Sequence, residues 1–264
     1  MRIALAQIVA SKDLAGNLDL VRLRAAEAAT AGADLVVFPE ATMRAFGYNL
    51  TEIAEPVDGP WASAVRDFAR EQQIVIVVGM FTPGDAGRVR NTLLATGPGV
   101  EAAYDKIHLF DAFSFAESDT VTAGDTLVTI EVAGVRVGLA TCYDVRFPGL
   151  FTALADRGAE LVVLPASWGG GEGKLAQWQL LVCARALDTT CFVAACDQAD
   201  PVAIGLTGSG SAPTGIGHSL LVDPLGRVLN ELGSAPEMMI IDLDLNVVEC
   251  TRTALPVLKN RKLG

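Results

Sequence analysis

Three residues that together could carry out acyl transfer follow apolar segments of this sequence: Glu40 after LVVFP, Lys106 after EAAYD and Cys142 after VGLAT. A thiol can attack a carbonyl carbon, a carboxylate can take the thiol proton, and an ammonium can stabilise the charge that develops on the carbonyl oxygen. Each residue alone has an ordinary explanation, because a cysteine is often a small core residue and a charged side chain after a strand is often solvated. The combination predicts a nucleophile, a base and a cation in one site.

Cys142 is the strongest candidate for the nucleophile. It follows an apolar strand and precedes YDVRFPGL, in which Phe147 and Leu150 begin a helical pattern. A sharp turn between a strand and a helix would expose the thiol near a helix N-terminus, which lowers the pKa of a thiol from its usual value of about 8.5. We expect the remaining cysteines to be structural: Cys183 in a predicted helix, Cys191 and Cys196 in a predicted strand, and Cys250.

Other common catalytic schemes lack their residues in this sequence. A Cys-His pair would need His108 or His218, and neither has an evident Asn or Asp to orient it. The nucleophile elbow G-x-S-x-G and the dinucleotide fingerprint G-x-G-x-x-G are absent, and GGGEGKL fails the spacing of a phosphate loop. With two histidines and no C-x-x-C pair, few metal ligands remain, so we expect no metal site.

Apolar runs bounded by turn residues predict the strands that position these side chains. They cover residues 2–9, 34–38, 74–81, 92–96, 135–141, 160–164, 191–196, 219–222 and 238–243. Helical patterns lie between several of them, over residues 18–31, 60–72, 147–157 and 173–188. Short turns at Ala133-Gly134 and at residues 224–226 predict hairpins, so the sheets should be mixed.

The chain looks like two related halves. A helix, a Gly-Ala step and an apolar strand that ends in proline occur at AAEAATAGADLVVFP and again at LADRGAELVVLP. Such a repeat predicts an α/β protein with two sheets packed face to face and helices outside. The position of Glu40 in the first copy is Ala166 in the second. We therefore expect the base to come from one half and part of the pocket wall from the other.

The composition predicts one soluble domain over residues 1–264. The chain has 264 residues, 51% of them hydrophobic and 19% charged, which is enough to bury a large core. Its formal net charge of −11 and its lack of a basic run argue against nucleic acid or an anionic membrane as a partner. No membrane-spanning run or secretory signal is evident, and the odd count of five cysteines fits the reducing cytoplasm. We interpret the Gly-rich residues 168–173 as an active-site loop.

The residues around these side chains resemble the carbon-nitrogen hydrolase (nitrilase) superfamily. The matching stretches are VVFPEAT, YDKIHLFD, FAESDTVTAGD and VGLATCYDVRFP, and further matches extend the resemblance over essentially the whole chain. Within the superfamily, CYDVRFP is similar to the amidase branch that includes omega-amidase and deaminated-glutathione amidase. The chain departs from that branch at Gly149, which is often Glu there, and at Gln177 and Gln179, which replace His and Glu.

The resemblance implies a four-layer α-β-β-α sandwich and a catalytic role for four residues. Cys142 would attack an amide carbonyl, Glu40 would act as the base, and Lys106 with the backbone N–H of Tyr143 would stabilise the oxyanion. Glu117 would be an additional glutamate that holds Lys106 in place and contacts the substrate amide. The implied reaction is hydrolysis of a small carboxamide through a thioester, without a metal or cofactor.

The substrate and the assembly stay open at this point. Arg146 could bind a substrate carboxylate or form a salt bridge within the protein, while Tyr48, Trp168 and Trp178 are either pocket residues or core. The alternative substrates are a nitrile or an N-carbamoyl amino acid, and a non-catalytic binding module is the second alternative. The resemblance also implies a homodimer or a higher homo-oligomer, with residues 250–264 as a tail at the interface.

Overall fold

A computed structural model describes residues 1–112, 115–207 and 212–262 of the chain. The strands in chain order are β1 Arg2–Gln7, β2 Leu35–Val37, β3 Val75–Pro83, β4 Val89–Gly97, β5 Val100–Asp105, β6 Asp111–Ala112, β7 Phe115–Ala116, β8 Thr129–Val132, β9 Val135–Leu139, β10 Leu161–Ala166, β11 Phe192–Asp197, β12 Leu220–Val222, β13 Val228–Glu231 and β14 Glu237–Asp242. The α-helices are α1 Leu14–Thr30, α2 Pro60–Gln72, α3 Pro148–Asp156, α4 Lys174–Thr189, α5 Asn246–Ala254 and α6 Val257–Asn260.

Two sheets of six strands carry the same topology within the described ranges. The first has the order β14-β1-β2-β3-β4-β5 and the second has the order β13-β12-β11-β10-β9-β8. In the first, β1, β2 and β3 are parallel and β4 and β5 follow as antiparallel strands. In the second, β9, β10 and β11 are parallel and β12 and β13 follow in the same way. The predictions of two related halves and of mixed sheets are confirmed.

Alternate side chains of the central strands divide the molecule into layers. Leu35 and Val37 of β2 join Leu161 and Val163 of β10 in a core between the two sheets. The intervening residues point outward: Val36 belongs to a core with residues of α1 and α2, and the corresponding residues of β10 belong to a core with α3 and α4. Because successive side chains of a strand face opposite sides, each sheet is apolar on both faces. The four-layer α-β-β-α sandwich is confirmed.

Local signals account for where the helices begin and end. The helix α2 covers the predicted residues, because Pro60 suits its first turn and Gln73 ends it in the left-handed conformation. The helix α1 begins at Leu14, four residues before the predicted residue 18, because the side chain of Asp13 accepts a hydrogen bond from the Ala15 N–H as an N-cap. None of the helices in the described ranges is long and apolar enough to cross a membrane.

The sheet topology brings several strand ends to one edge. The strands β2 and β5 run in the same direction, because β4 lies antiparallel to both β3 and β5 while β2 and β3 are parallel. Their carboxyl ends therefore lie at the same edge of the first sheet, where Glu40 and Lys106 follow. The equivalent edge of the second sheet carries Cys142 after β9 and Ser167 after β10.

Candidate active site

A tight turn after β2 positions Glu40. The next residue, Ala41, has a φ of 58°, which bends the chain directly after the carboxylate. Gly79 of β3 lies under this turn, and a Cβ at that position would stand 2.7 Å from the Ala41 nitrogen and 2.8 Å from the Pro39 oxygen. The two backbones are thus in direct contact here. Glu40 is held at the inner end of the site with only 1% of its surface exposed.

Hydrogen bonds that involve the main chain hold Lys106 and Glu117 in place. The Lys106 N–H donates to the Asn91 oxygen over 2.9 Å, and the Lys106 oxygen accepts from the Gly124 N–H over 2.8 Å. Glu117 begins a 3-10 helix, and its Oε2 accepts from the Phe110 N–H over 2.7 Å. Lys106 and Glu117 are both buried.

These residues form one buried ionic cluster. The Lys106 Nζ donates to Glu40 Oε1 over 2.9 Å and to Glu117 Oε1 and Oε2 over 3.2 and 2.9 Å. The Asn91 Nδ2 donates to Glu40 Oε1 over 2.7 Å and to Glu117 Oε1 over 3.2 Å. The cluster therefore contains two carboxylates, one ammonium and one amide, and all four side chains are buried.

Cys142 occupies a strained turn that the buried carboxylate of Asp144 stabilises. Its φ is 45°, and it begins a short 3-10 helix. Asp144 is fully buried, and its Oδ2 accepts from the Thr141 N–H over 2.8 Å and from the Tyr104 hydroxyl over 2.6 Å. Its Oδ1 accepts from the His108 N–H over 3.0 Å and lies 2.7 Å from His108 Nδ1. Asp144 thus links the Cys142 turn to the segment that follows Lys106.

The sequence shows no evident Asp or Asn to orient His108, but the structure provides one. Asp144 takes that position, and 36 residues separate the two in sequence, so no local pattern indicates the pair. The ring of His108 stacks on Phe147 with 3.7 Å between the ring centroids. His108 is not among the described residues that line the pocket around Cys142. A Cys-His pair is therefore not formed by His108.

Burial and charge shift the pKa values within the cluster. Burial alone would lower the pKa of Lys106, but the carboxylates of Glu117 and Glu40 outweigh it and hold that pKa well above its usual range. Burial raises the pKa of Glu40, with a further contribution from Glu117, while the charge of Lys106 opposes the rise. These shifts favour the charged form of Lys106 and increase the proton affinity of Glu40.

The expected lowering of the Cys142 pKa is wrong. Burial and the negative charge of Glu40 raise the pKa of the thiol well above its usual range, and Lys106 only partly opposes them. Cys142 is 8% exposed. The helix that it begins has five residues of 3-10 geometry, so its dipole is small beside the cost of burying a thiolate. A neutral thiol requires a base to take its proton, and the Glu40 carboxylate is the adjacent candidate.

The backbone of Ser167 connects the thiol with the carboxylate. Its N–H donates to Glu40 Oε2 over 2.9 Å, and its carbonyl oxygen lies 3.9 Å from the Cys142 Sγ. Among the described contacts, Oε1 of Glu40 has donors from Lys106 and Asn91, whereas Oε2 has only that of Ser167. A carboxylate oxygen can accept at two sites, so Oε2 retains a lone pair for a proton.

A pocket opens over this cluster. It encloses about 450 Å³, including its open mouth, and the predicted Glu40, Lys106, Glu117 and Cys142 all line it. Its lining in the described ranges is Glu40, Phe46, Lys106, Phe110, Phe115, Glu117, Cys142, Tyr143, Arg146, Ser167, Trp168, Gly169, Lys174 and Pro213.

The predicted substrate-binding residues divide into two groups. Tyr143, Arg146 and Trp168 line the pocket, and the Arg146 guanidinium carbon lies 5.5 Å from the Trp168 ring centre. Tyr48 does not line it; the side chain is 45% exposed and borders a neighbouring groove. Trp178 is fully buried behind the pocket and packs against Trp168, with 5.2 Å between the ring centroids.

The structure adds three residues that sequence reasoning missed. Asn91 contacts both carboxylates. The feature that could have indicated it in the sequence is a polar amide within a buried strand. Lys174 begins α4 directly after the Gly-rich loop, and its Nζ lies 5.9 Å from the Trp168 ring centre. Burial and the charge of Arg146 lower the pKa of Lys174. Ser167 acts through its main chain, which no pattern of side chains can indicate.

With this fold and this site, the chain belongs to the carbon-nitrogen hydrolase family, whose model matches residues 2–253. It is similar to a protein named only as a hydrolase from Mycobacterium tuberculosis, with 54% identity over 99% of this chain and 95% of that protein. It is 34% identical to the deaminated glutathione amidase of Escherichia coli O157:H7, over 100% of this chain and 98% of that protein. It is 33% identical to the omega-amidase of Mus musculus, over 99% of this chain and 95% of that protein. The predicted family is confirmed, and its amidase relatives support hydrolysis of non-peptide carbon-nitrogen bonds.

Solved structures show the same fold. A carbon-nitrogen hydrolase superfamily protein from Xanthomonas campestris, which carries an arsenic adduct in its active site, has a TM-score of 0.86 and 26% identity, over 100% of this chain and 98% of that one. A mutant of the amidase from Nesterenkonia sp. AN1 has a TM-score of 0.80 and 30% identity, over 97% of this chain and 95% of that one. That mutant carries the acetamide moiety of fluoroacetamide covalently at its active-site cysteine.

Proposed function

We propose that this protein is an amidase that hydrolyses a small, carboxylate-bearing carboxamide to the acid and ammonia through a thioester on Cys142. The observation that carries this proposal is that Cys142, Glu40 and Lys106 all line one pocket. These are the nucleophile, the base and the oxyanion-stabilising cation that amide hydrolysis requires. The amidase relatives from Escherichia coli and Mus musculus support the reaction type.

In the first half of the reaction, Cys142 is acylated. Oε2 of Glu40 takes the proton from Sγ as Sγ bonds to the amide carbon, and the carbonyl oxygen becomes an oxyanion that the Lys106 ammonium and the Tyr143 N–H stabilise. The intermediate collapses when the C–N bond breaks and Glu40 returns the proton to the leaving nitrogen. Ammonia leaves, and the acyl group stays on sulfur as a thioester.

In the second half, water releases the acid. Glu40 takes a proton from a water molecule whose oxygen attacks the thioester carbon, and the same cation stabilises the second oxyanion. The C–S bond then breaks, and the sulfur recovers the proton from Glu40. Glu117 holds the Lys106 ammonium through two hydrogen bonds. It also lines the pocket, and the proposed mechanism places it against the substrate amide.

The carboxylate of the substrate is assigned to Arg146 and Lys174. Both line the pocket, and the positive charge of Arg146 contributes to the lowered pKa of Lys174. An anionic group between two cations that repel each other relieves this repulsion and gains charge-assisted hydrogen bonds. Gln177 holds the guanidinium through a 2.7 Å hydrogen bond without neutralising it. The pocket therefore offers an anion subsite beyond the reacting carbon.

Ammonia release from a panel of carboxamides, with and without a carboxylate, tests the function. The parent protein is expected to cleave one carboxylate-bearing amide, and Cys142→Ala is expected to abolish that release. Cys183→Ala is the matched control, because Cys183 lies on α4, outside the described pocket lining and outside residues 250–264. Intact-protein mass spectrometry during turnover should show an acyl group on the parent chain, located on Cys142 by peptide mapping. Ammonia release by Cys142→Ala at the parental rate would refute the mechanism.

The same panel separates the alternatives. Acid formed from a nitrile, or carbon dioxide formed from an N-carbamoyl amino acid, at a greater kcat/KM than any amide would replace the proposed substrate class. No turnover of any compound, together with an unreactive Cys142, would favour a binding module.

We also propose that the chain is a single catalytic domain that assembles at least as a homodimer, with residues 250–264 at the interface. Residues 263 and 264 lie outside the described part of this tail. Arg252 and Arg261 attach the tail to its own chain, at Ala159 and Asp156. Sedimentation equilibrium should give a mass of at least two chains; a monomer at micromolar concentration would overturn the proposal.

A further inference from the structure

Asn91 contacts three of the four residues to which the proposed function assigns catalysis. Its main-chain carbonyl oxygen accepts a hydrogen bond from the main-chain N–H of Lys106 over 2.9 Å. Its Nδ2 donates to Glu40 Oε1 over 2.7 Å and to Glu117 Oε1 over 3.2 Å. Asn91 is 1% exposed and is not part of the described pocket wall. It therefore reaches the reaction only through these neighbours.

The chemistry of the cluster determines which way this amide faces. Only the NH₂ group of Asn91 can face the carboxylates of Glu40 and Glu117, because the carbonyl oxygen in that place would be repelled by both. The Oδ1 of Asn91 is buried and has no hydrogen-bond partner within the described part of the chain. A buried acceptor without a partner costs stability, and proteins retain such a cost most often at functional sites. An apolar side chain of similar size would avoid this cost, yet the position carries an amide.

The hydrogen bonds of Lys106 explain why a second donor is needed. An ammonium has three N–H groups, and the Nζ of Lys106 already makes three contacts with Glu40 and Glu117. To stabilise an oxyanion in the pocket, Lys106 has to redirect one of these hydrogen bonds to the substrate. Asn91 then remains as a donor to both carboxylates.

We propose that Asn91 is a positioning residue that keeps the Glu40 carboxylate ionised, with Oε1 occupied and Oε2 open to the thiol proton, while Lys106 turns to the oxyanion. This inference rests on the proposed function, which assigns Glu40 as the base. It adds a residue that acts through Glu40 rather than on the substrate. Asn91 thereby selects which carboxylate oxygen takes the proton.

Asn91→Leu tests the donor, because leucine is similar in size and donates no hydrogen bond. We expect kcat to fall by about 10- to 100-fold, as for a lost hydrogen bond to a charged group. The acidic limb of the kcat/KM profile should move to higher pH, since the ionised form of Glu40 loses a donor, while KM for a neutral amide stays the same.

Thr92→Val is the matched control. Thr92 is the next residue on β4, is equally buried, and shares hydrogen bonds with Thr82 and Asp105 on the other face of the strand. Thr92→Val should lower the free energy of unfolding by an amount comparable to Asn91→Leu, but it should leave the acidic limb of the kcat/KM profile where it is.

Asn91→Asp is a second test, in which the side chain keeps nearly the same shape but can gain a charge. At low pH the introduced carboxylic acid is protonated and can donate one hydrogen bond, whereas at higher pH it adds a third negative charge beside Glu40 and Glu117. Its activity should therefore fall as pH rises through a range in which the parent activity is flat. Loss of a merely structural contact would scale the activity equally at every pH.

The rate at which iodoacetamide alkylates Cys142 measures the same effect without hydrolysis of an amide. The rate at the Cys142 peptide, followed by mass spectrometry, depends at low pH on proton transfer to ionised Glu40. In Asn91→Leu the acidic limb of this rate should move to higher pH, even if no amide proves to be a substrate. Parent and variant profiles of kcat/KM and of alkylation that superimpose after scaling would overturn the inference.

Discussion

The Lys106 Nζ lies 2.9 Å from the Glu40 Oε1, and both side chains are almost completely buried. Glu117 contacts the same ammonium at 2.9 Å, so one cation stabilises two carboxylates away from water. Removing one partner of a buried ion pair leaves an uncompensated charge, which typically costs about 3–5 kcal/mol. The pair is therefore both a catalytic element of the proposed mechanism and a requirement for the fold around it.

Replacing Lys106 by Met should damage stability and activity together. The two remaining carboxylates would repel each other in a buried site, so the free energy of unfolding in urea should fall by about 3–5 kcal/mol. The rate of amide hydrolysis should fall by at least about 10²-fold, since an oxyanion donor is lost. Lys12→Met at an exposed position is the control and should change neither quantity. An unchanged urea midpoint for Lys106→Met would show that the pair does not carry the charge balance described here.

The pH dependence of kcat/KM should show an acidic limb above the ordinary carboxyl range. Burial raises the pKa of Glu40 from 4.5, and the base works only after it has lost its proton. Activity should therefore be lost as pH falls through this raised value. Lys106 should contribute no alkaline limb near neutral pH, because the carboxylates beside it hold its pKa well above the usual range. A kcat/KM that stays constant down to about pH 4 would contradict the assignment of Glu40 as the base.

Gly79→Ala should displace Glu40 without touching its side chain. The new Cβ would stand 2.7 Å from the Ala41 nitrogen, so the turn that carries the carboxylate has to shift. We expect a loss of about 1–3 kcal/mol in unfolding free energy, typical of overpacking, and a fall in kcat. Gly149→Ala is the matched control, because nothing lies within 4 Å of a Cβ at that site in the first turn of α3. Equal kinetics for both variants would show that the close backbone contact does not position the base.

Arg146→Met and Lys174→Met should change specificity more than chemistry. Each removes one cation from the proposed anion subsite, so kcat/KM for a carboxylate-bearing amide should fall by about 10- to 100-fold, as for the loss of a charge-assisted hydrogen bond. The matched control is a neutral amide of the same length, for which kcat/KM should change little. Equal losses on both substrates would remove the carboxylate from the proposed substrate class.

Much of the architecture can be predicted from local patterns in the sequence. The helix α2 matches its prediction because Pro60 and the apolar spacing of its residues are properties of one segment. The two halves are recognisable because Glu40 and Ala166 follow nearly the same strand sequence, and the sheets place both copies in equivalent positions. Glu40, Lys106, Glu117 and Cys142 could be selected because each follows a predicted strand or matches a family motif, and all four line one pocket.

The sequence by itself determined the elements, their order and the chemical groups at the strand ends, because helices and strands depend on short-range spacing and on the polarity of their faces. Only the tertiary structure decided how those groups are partnered. The hydrogen bond from the Ser167 N–H to Glu40 joins residues 127 positions apart, and that from Asn91 to Glu40 joins residues 51 positions apart. The raised pKa of Cys142 depends on burial, and the place of Tyr48 outside the pocket depends on the packing of a loop. Proton affinity, orientation and access arise from contacts between segments that are distant in sequence. Some of these contacts lie within the first sheet and others join the two halves, and all of them exist only in the folded chain.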